Sequence, residues 1–443
     1  MKKTLKFSEV LSIGLMLFAV FFGAGNVIFP PLLGQEAGSN VWSAVTGFIV
    51  ADVGLSLVTI IAITRSGGSF DDLANKVNPK FARLISIIIY LTIGPLCVIP
   101  RTGAVSYEIS ALPLIPPSFT HKWIISIAFT SIFFLLTYFL ALNPSKLVDF
   151  IGKFLTPILL FLIGVIVVKS FITPIGVPST PVQDYANHAF FKGFINGYLT
   201  LDVLGAIVIC TIVLNAIKQC GITDSKGIIK YTLICGVIAC IGLMIVYFSL
   251  GYLGATSAPL GQAKDGGQLL ANIVIHLFGK WGIILLGGVV TFACLTTSIG
   301  LVAAFAEYFK KISPRFKYKN TIAIVCIFSF IISNLGLSTI LKLTIPVLLV
   351  LYPVTIILIF LSFLDKIIGS KKFVYYFGIT AGFIVSLIQV LDNLDLILPY
   401  ISNFAKAIPL YELGIGWLVP SILASLLGFF MPTKKSRNMT KIS

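Results

Sequence analysis

Apolar segments about 20 residues long, enough for a helix to cross the hydrocarbon core of a bilayer, recur along this chain with little between them. They lie at Ser8–Leu33, Val41–Thr64, Leu84–Pro113, Trp123–Leu142, Leu147–Ile172 and Phe191–Ile217. Six more follow at Ile228–Leu253, Trp281–Phe309, Thr321–Leu341, Ile345–Leu364, Phe373–Leu391 and Leu410–Met431. A water-soluble domain of this length needs far more charge on its surface than 11%. The expectation is an all-α polytopic membrane protein of about 12 transmembrane helices. The first apolar run is too long for a signal peptide and lacks a small-x-small cleavage site, so it is expected to stay as the first helix.

The net charge of +16 raises the question of nucleic acid, but Lys and Arg form no patch interleaved with aromatics. They cluster between apolar runs, where topology signals belong. With the N-terminus inside, 24 of them face the cytoplasm, from Lys2 to Lys441, and 7 face outward: Lys122, Lys169, Lys192, Lys264, Lys280, Lys342 and Lys406. That bias places both termini in the cytoplasm and accounts for the charge without an anionic partner. All seven cysteines fall in apolar runs without a CxxC, and His121, His188 and His276 are scattered. No catalytic or metal-binding constellation follows, so an enzyme is not expected, nor any cofactor.

Two spans carry residues that weaken a helix at membrane depth. The first holds Phe22-Gly23-Ala24-Gly25-Asn26 followed by Phe29-Pro30-Pro31; the sixth holds Asn196-Gly197-Tyr198-Leu199-Thr200-Leu201-Asp202. Irregular backbone at that depth persists only where it is buried in protein or lines a polar cavity. Interrupted helices five spans apart fit an inverted five-plus-five repeat with its site between the two breaks. In the eighth span, the carbonyl of Ala293 and the hydroxyls of Thr296 and Thr297 stand at i, i+3 and i+4 and can converge on one hard cation. Asp52, Arg101 and Glu108 are costly within spans and are candidates for mutual pairing, the aqueous pathway or a proton relay. Glu307, near the cytoplasmic end of the eighth span, is expected against solvent or basic residues.

Leu17–Pro31 (LFAVFFGAGNVIFPP), Gly197–Asp202 (GYLTLD), Leu295–Gly300 (LTTSIG) and Ile345–Val354 (IPVLLVLYPV) resemble the bacterial branched-chain amino acid:cation symporters. The resemblance runs over essentially the whole chain. It implies the LeuT-like fold, with helices 1–5 (residues 1–172) and 6–10 (191–364) as inverted repeats, two more helices (373–431) and a cytoplasmic tail (432–443). It also implies Na⁺-driven uptake of leucine, isoleucine and valine across the bacterial cytoplasmic membrane.

By analogy with LeuT-type sites, Phe22, Gly23, Ala24, Gly25, Asn26, Tyr198, Thr200 and Asp202 would surround the substrate. Ala24 and Gly25 amides would meet its carboxylate, and unwound carbonyls of helices one and six its ammonium. The carbonyls of Ala19, Phe22 and Ala293 with the hydroxyls of Thr296 and Thr297 would hold Na⁺. Between Asn26 and Phe29-Pro30 the chain has one residue fewer than LeuT-type helices, which leaves the register of Val27 to Phe29 open. The rivals are a same-fold carrier of another small neutral solute or one using H⁺, and more remotely a channel.

Overall fold

A chain whose buried surroundings offer its backbone no water satisfies its amides internally, and a helix does so within one segment. In the computed structural model, which describes residues 4–116, 118–143, 150–182, 184–263, 265–369 and 371–431, all regular structure among the described residues is helical. Nine helical stretches among them are long and apolar enough to cross a membrane, and four shorter apolar helices accompany them.

The first span is two helices, α1 (Phe7–Phe21) and α2 (Ala24–Ala37). The second is α3 (Val41–Ile49) and α4 (Leu55–Arg65), joined through a π-helical turn at Val50–Gly54. The third is α5 (Pro79–Leu91) and α6 (Val98–Ser106), separated by a second π turn in which Gly94 leaves helical backbone ahead of Pro95. Then come α7 (Lys122–Ala141), α8 (Thr156–Ile172), the divided sixth span α9 (Tyr185–Tyr198) and α10 (Asp202–Gln219), and α11 (Ser225–Ala255). They are followed by α12 (Gly266–Phe278), α13 (Lys280–Ile312), α14 (Tyr318–Ser333), α15 (Leu337–Phe363), α16 (Lys372–Asn393) and α17 (Leu418–Phe430).

Three boundaries differ from expectation. α12 lies where a loop was expected; its 13 residues are too few to span, so a search for spanning length passes over it. The ninth and tenth spans meet at Asn334-Leu335-Gly336, not at Lys342, because Gly336 takes a left-handed φ of 87° that a helix interior excludes. Lys342 therefore lies within α15. The last span starts at Leu418, after a short helix at Pro399–Lys406 and turns from Ala407 onward that include Leu410 at φ 67° and Gly414 at φ 81°. The tail 432–443, Lys146, the start of the fifth span at Leu147 and Lys264 lie outside the described residues.

The described residues of Met1–Phe70 and Ile85–Leu348 form one compact unit. α13 is buried without a break from Ala293 to Ala306, whereas α7 exposes Ile132, Leu135 and Phe139, as a lipid-facing helix does. Helices touch backbone to backbone where side chains vanish. A Cβ on Gly193 would overlap the Ala44 carbonyl, and one on Gly254 would overlap the Pro31 carbonyl, so α9 lies on α3 and α11 on α2 at the closest approach. Asp71–Leu84 and the described residues from Leu349 form a second unit. In it Gly378 and Gly382 of α16 pack on Ser425 and Ser421 of α17, and Asp365 pairs with Lys76 and accepts from the Tyr375 hydroxyl.

Candidate functional site

The first break is local chemistry. α1 stops at Phe21, Phe22 turns out at ψ 82°, and Gly23 is extended before α2 restarts at Ala24. Asn26 stabilises the restart, because its Oδ1 accepts from the Gly23 amide at 3.2 Å. Pro30 and Pro31 lie inside α2 and do not make the break. The first amides of a helix have no partner within it, so Ala24 and Gly25 present donors at the positive end of α2.

The second break is tighter. α9 ends at Tyr198, and Leu201 is held at φ 74°, a left-handed conformation that strains a bulky residue. Arg101 of α6, 2% exposed, fixes this turn by donating to the carbonyls of Leu199 (2.8 Å) and Thr200 (2.9 Å). A cation at the carbonyl end of a helix also complements its dipole. Gly25 makes room for the guanidinium, since a Cβ there would stand 3.0 Å from Arg101 Nη2.

Side chains then tie the breaks together. Asn26 Nδ2 donates to Asp202 Oδ2 (2.8 Å) and to the Tyr247 hydroxyl (2.5 Å). The Thr200 hydroxyl lies 2.6 Å from Asp52 Oδ1 and 2.7 Å from the Gly197 carbonyl, and accepts from the Asp202 amide at 3.4 Å. Between the breaks is a cavity of about 20 Å³, whose lining includes the polar residues Asn26, Arg101, Thr200, Asp202 and Thr297. Its apolar wall includes Phe21, Ile93, Val98, Leu201, Ile209 and Leu301. That volume holds one water and no amino acid, so a larger solute requires the halves to move apart.

Of the residues expected around a substrate, Gly23, Ala24, Asn26, Thr200 and Asp202 line this cavity. Phe22, Gly25 and Tyr198 do not: Phe22 stacks on Phe18 (ring centroids 5.5 Å apart), Gly25 faces Arg101, and Tyr198 packs on Phe194 (5.3 Å). The helix-six carbonyls expected to meet an ammonium are those that Arg101 holds. Sequence reasoning missed Tyr247 altogether and did not connect Asp52 to the sixth span. Glu108 lies elsewhere, accepting from the Leu337 amide at 3.0 Å, and Glu307 has Asn215, Lys310 and Lys311 around it.

Beside the first break, Thr296 Oγ1 donates to the carbonyls of Ala19 (2.8 Å) and Ala293 (2.9 Å). Thr297 Oγ1 lies 2.8 Å from the Val20 carbonyl and 3.5 Å from that of Ala19. Four of the five residues expected as ion ligands thus converge, and the Val20 carbonyl stands among them. All five oxygens are neutral, a set suited to a hard monovalent cation. Among the described residues no group of three or more His, Cys, Asp or Glu gathers to hold a metal. Oxygens about 2.4 Å from a cation stand roughly 3.4 Å apart. An ion here would therefore replace the hydroxyl-to-carbonyl hydrogen bonds and widen most of these separations by about half an ångström.

Residues 6–435 match the family described as branched-chain amino acid transport protein. The chain is 44% identical over 433 residues to the branched-chain amino acid permease BraB of Bacillus subtilis (strain 168), covering 97% of each. It is 43% identical over 434 residues to the permease BrnQ of the same organism, covering 97% of this chain and 98% of that one. In fold it is similar to Mhp1, a nucleobase-cation-symport-1 family transporter solved in a closed conformation with bromovinylhydantoin bound. The TM-score is 0.61 at 14% identity, over 95% of this chain and 91% of Mhp1. The chain has that LeuT-like fold.

Proposed function

The chain belongs to the branched-chain amino acid transport protein family, and from that premise we propose that it imports leucine, isoleucine and valine in symport with Na⁺ by alternating access. The observation that carries the proposal is the convergence of two broken helices on one cavity, with the neutral oxygen cluster beside the first break. The substrate carboxylate binds the Ala24 and Gly25 amides. The ammonium binds the last carbonyls of α1 and the Asp202 carboxylate, since Arg101 occupies those of Leu199 and Thr200. The branched side chain lies against Phe21, Ile93, Val98, Ile209 and Leu301.

Na⁺ at Ala19, Val20, Ala293, Thr296 and Thr297 bridges α1 to α13. An ion that binds two states unequally shifts their populations; occupied, it favours the outward-open state, and its release frees α1 to tilt. The two inverted repeats supply the moving bodies, and the Lys and Arg bias orients both termini to the cytoplasm. Counterflow in proteoliposomes tests the reading. Labelled leucine is expected to exchange against isoleucine and valine, and not against lysine or glutamate, with Na⁺ but not K⁺ outside. Exchange indifferent to Na⁺ overturns the coupling, and no competition by valine overturns the cargo.

Pocket size is testable separately. A Cβ on Gly205, which lines the cavity, would meet only Ile209 Cδ1 at 3.8 Å, so Gly205→Ala is expected to fold normally. The added methyl takes space from the side-chain pocket, where one carbon is worth about tenfold or more in discrimination. Leucine uptake is expected to fall about tenfold relative to alanine uptake, measured as kcat/KM.

A further inference from the structure

Asp52 and Asp202 bring two buried carboxyl groups together: Asp52 is 0% and Asp202 6% exposed. Asp52 lies in the π turn of the second span, which shifts its side chain out of the regular helical register toward the sixth. Asp202 is the first residue of α10. The two carboxyls neighbour each other, and Tyr247 neighbours both. Asn26 Nδ2 donates to Asp202, and Thr200 Oγ1 approaches Asp52 Oδ1. Asp52 Oδ2 is fully buried, and besides Thr200 the Asp52 carboxyl has the Tyr247 hydroxyl and the Asp202 carboxyl as hydrogen-bonding neighbours. The Thr200 hydroxyl, for its part, has one proton for two acceptors, Asp52 and the Gly197 carbonyl.

The Tyr247 hydroxyl, which accepts from Asn26 Nδ2, has its own proton to give to the pair, so the charge count decides. The charged and titratable groups facing the pair are Arg101 from α6, and Tyr247 and Cys240 from α11. From α9 the packing residue is Gly197, which brings no side chain. Two carboxylates against one guanidinium leave an uncompensated negative charge in a membrane interior, where adjacent carboxylates do not both ionise.

We propose that Asp52 and Asp202 form a proton-binding site that holds one shared proton and couples the second span to the break in the sixth. With the proton, Asp52 and Asp202 share a hydrogen bond, and the cluster with Arg101 is neutral. Without it, two like charges push the π turn away from the start of α10, and the Leu199–Leu201 turn loses its tie to the second span. The site is distinct from the Ala19–Thr297 oxygen cluster, and its test does not use transport.

The test is infrared spectroscopy of the purified full-length protein at pH 7, reading the carbonyl stretch of a protonated carboxylic acid. Wild type is expected to show one buried protonated carboxyl, and ¹³C-labelled aspartate is expected to shift its band. Asp52→Asn and Asp202→Asn each leave one carboxylate matched by Arg101, and each is expected to lose the band; Glu108→Gln is expected to keep it. The label shift decides the matter even where a variant fails to fold. A wild-type spectrum without the band, a band insensitive to the aspartate label, or one retained in both single variants overturns the proposal. So does a band erased when Na⁺ replaces K⁺ at constant ionic strength, which would make the pair a metal-cation site.

Discussion

Thr296→Ala combined with Thr297→Ala is expected to abolish Na⁺-dependent leucine uptake while the protein still reaches the membrane and elutes as a folded species. The two hydroxyls are two of the five oxygens that meet between α1 and α13. A neutral group bonded to an ion is worth about 1.5–3 kcal/mol, so losing both weakens Na⁺ binding by roughly 10²–10⁴-fold. Packing alone predicts something different. Hydroxyls that only donate to carbonyls in a membrane helix contribute about 1 kcal/mol each, and their loss would lower thermal stability without moving the Na⁺ dependence. Thr296→Ser with Thr297→Ser keeps both oxygens and is expected to keep the half-saturating Na⁺ concentration near wild type. The double alanine variant retaining full uptake at unchanged Na⁺ affinity would remove the ion from this place.

Hydropathy made the spans readable because a bilayer demands length and apolarity and little else. The breaks were readable for the opposite reason: Gly23 and Asn26, and Thr200 and Asp202, are residues a lipid-facing helix does not keep without cause. What stayed hidden has no signature in residue type. The Val20 carbonyl is backbone, and any residue would supply it. Arg101 announced itself as a buried charge, but its observed partners are the carbonyls of Leu199 and Thr200, which no pattern of side chains reveals. Tyr247 is one of 15 tyrosines, and only the approach of α11 to α2 through Gly254 brings it to Asn26. Asp52 reaches Thr200 from a π turn, and hydropathy is blind to whether a helix winds by four residues or five.

Replacing Arg101 is expected to have an effect as large as removing the two threonine hydroxyls, by a different route. Its guanidinium holds the carbonyls of Leu199 and Thr200 and faces Asp202, so one side chain fixes the backbone of the second break and compensates charge there. In Arg101→Ala two carbonyls lose their donors and the carboxyl cluster loses its cation. Breaking a buried charged constellation by removing one member costs about 3–5 kcal/mol. Thermal stability in detergent is therefore expected to fall, and leucine uptake by more than about 100-fold. Arg101→Lys separates the two roles. A lysine keeps the charge but lacks the planar fork that meets two carbonyls side by side, so stability is expected to stay close to wild type while uptake falls about tenfold. Arg101→Met with Asp202→Asn separates them from the other side, since it removes the cation together with one carboxylate. That pair is expected to regain much of the stability lost in Arg101→Ala and none of the uptake, because charge balance returns and the held turn does not. Uptake near wild type in Arg101→Ala would mean that Leu201 keeps its left-handed turn unaided, and that the break owes its shape to the packing around Gly197 instead.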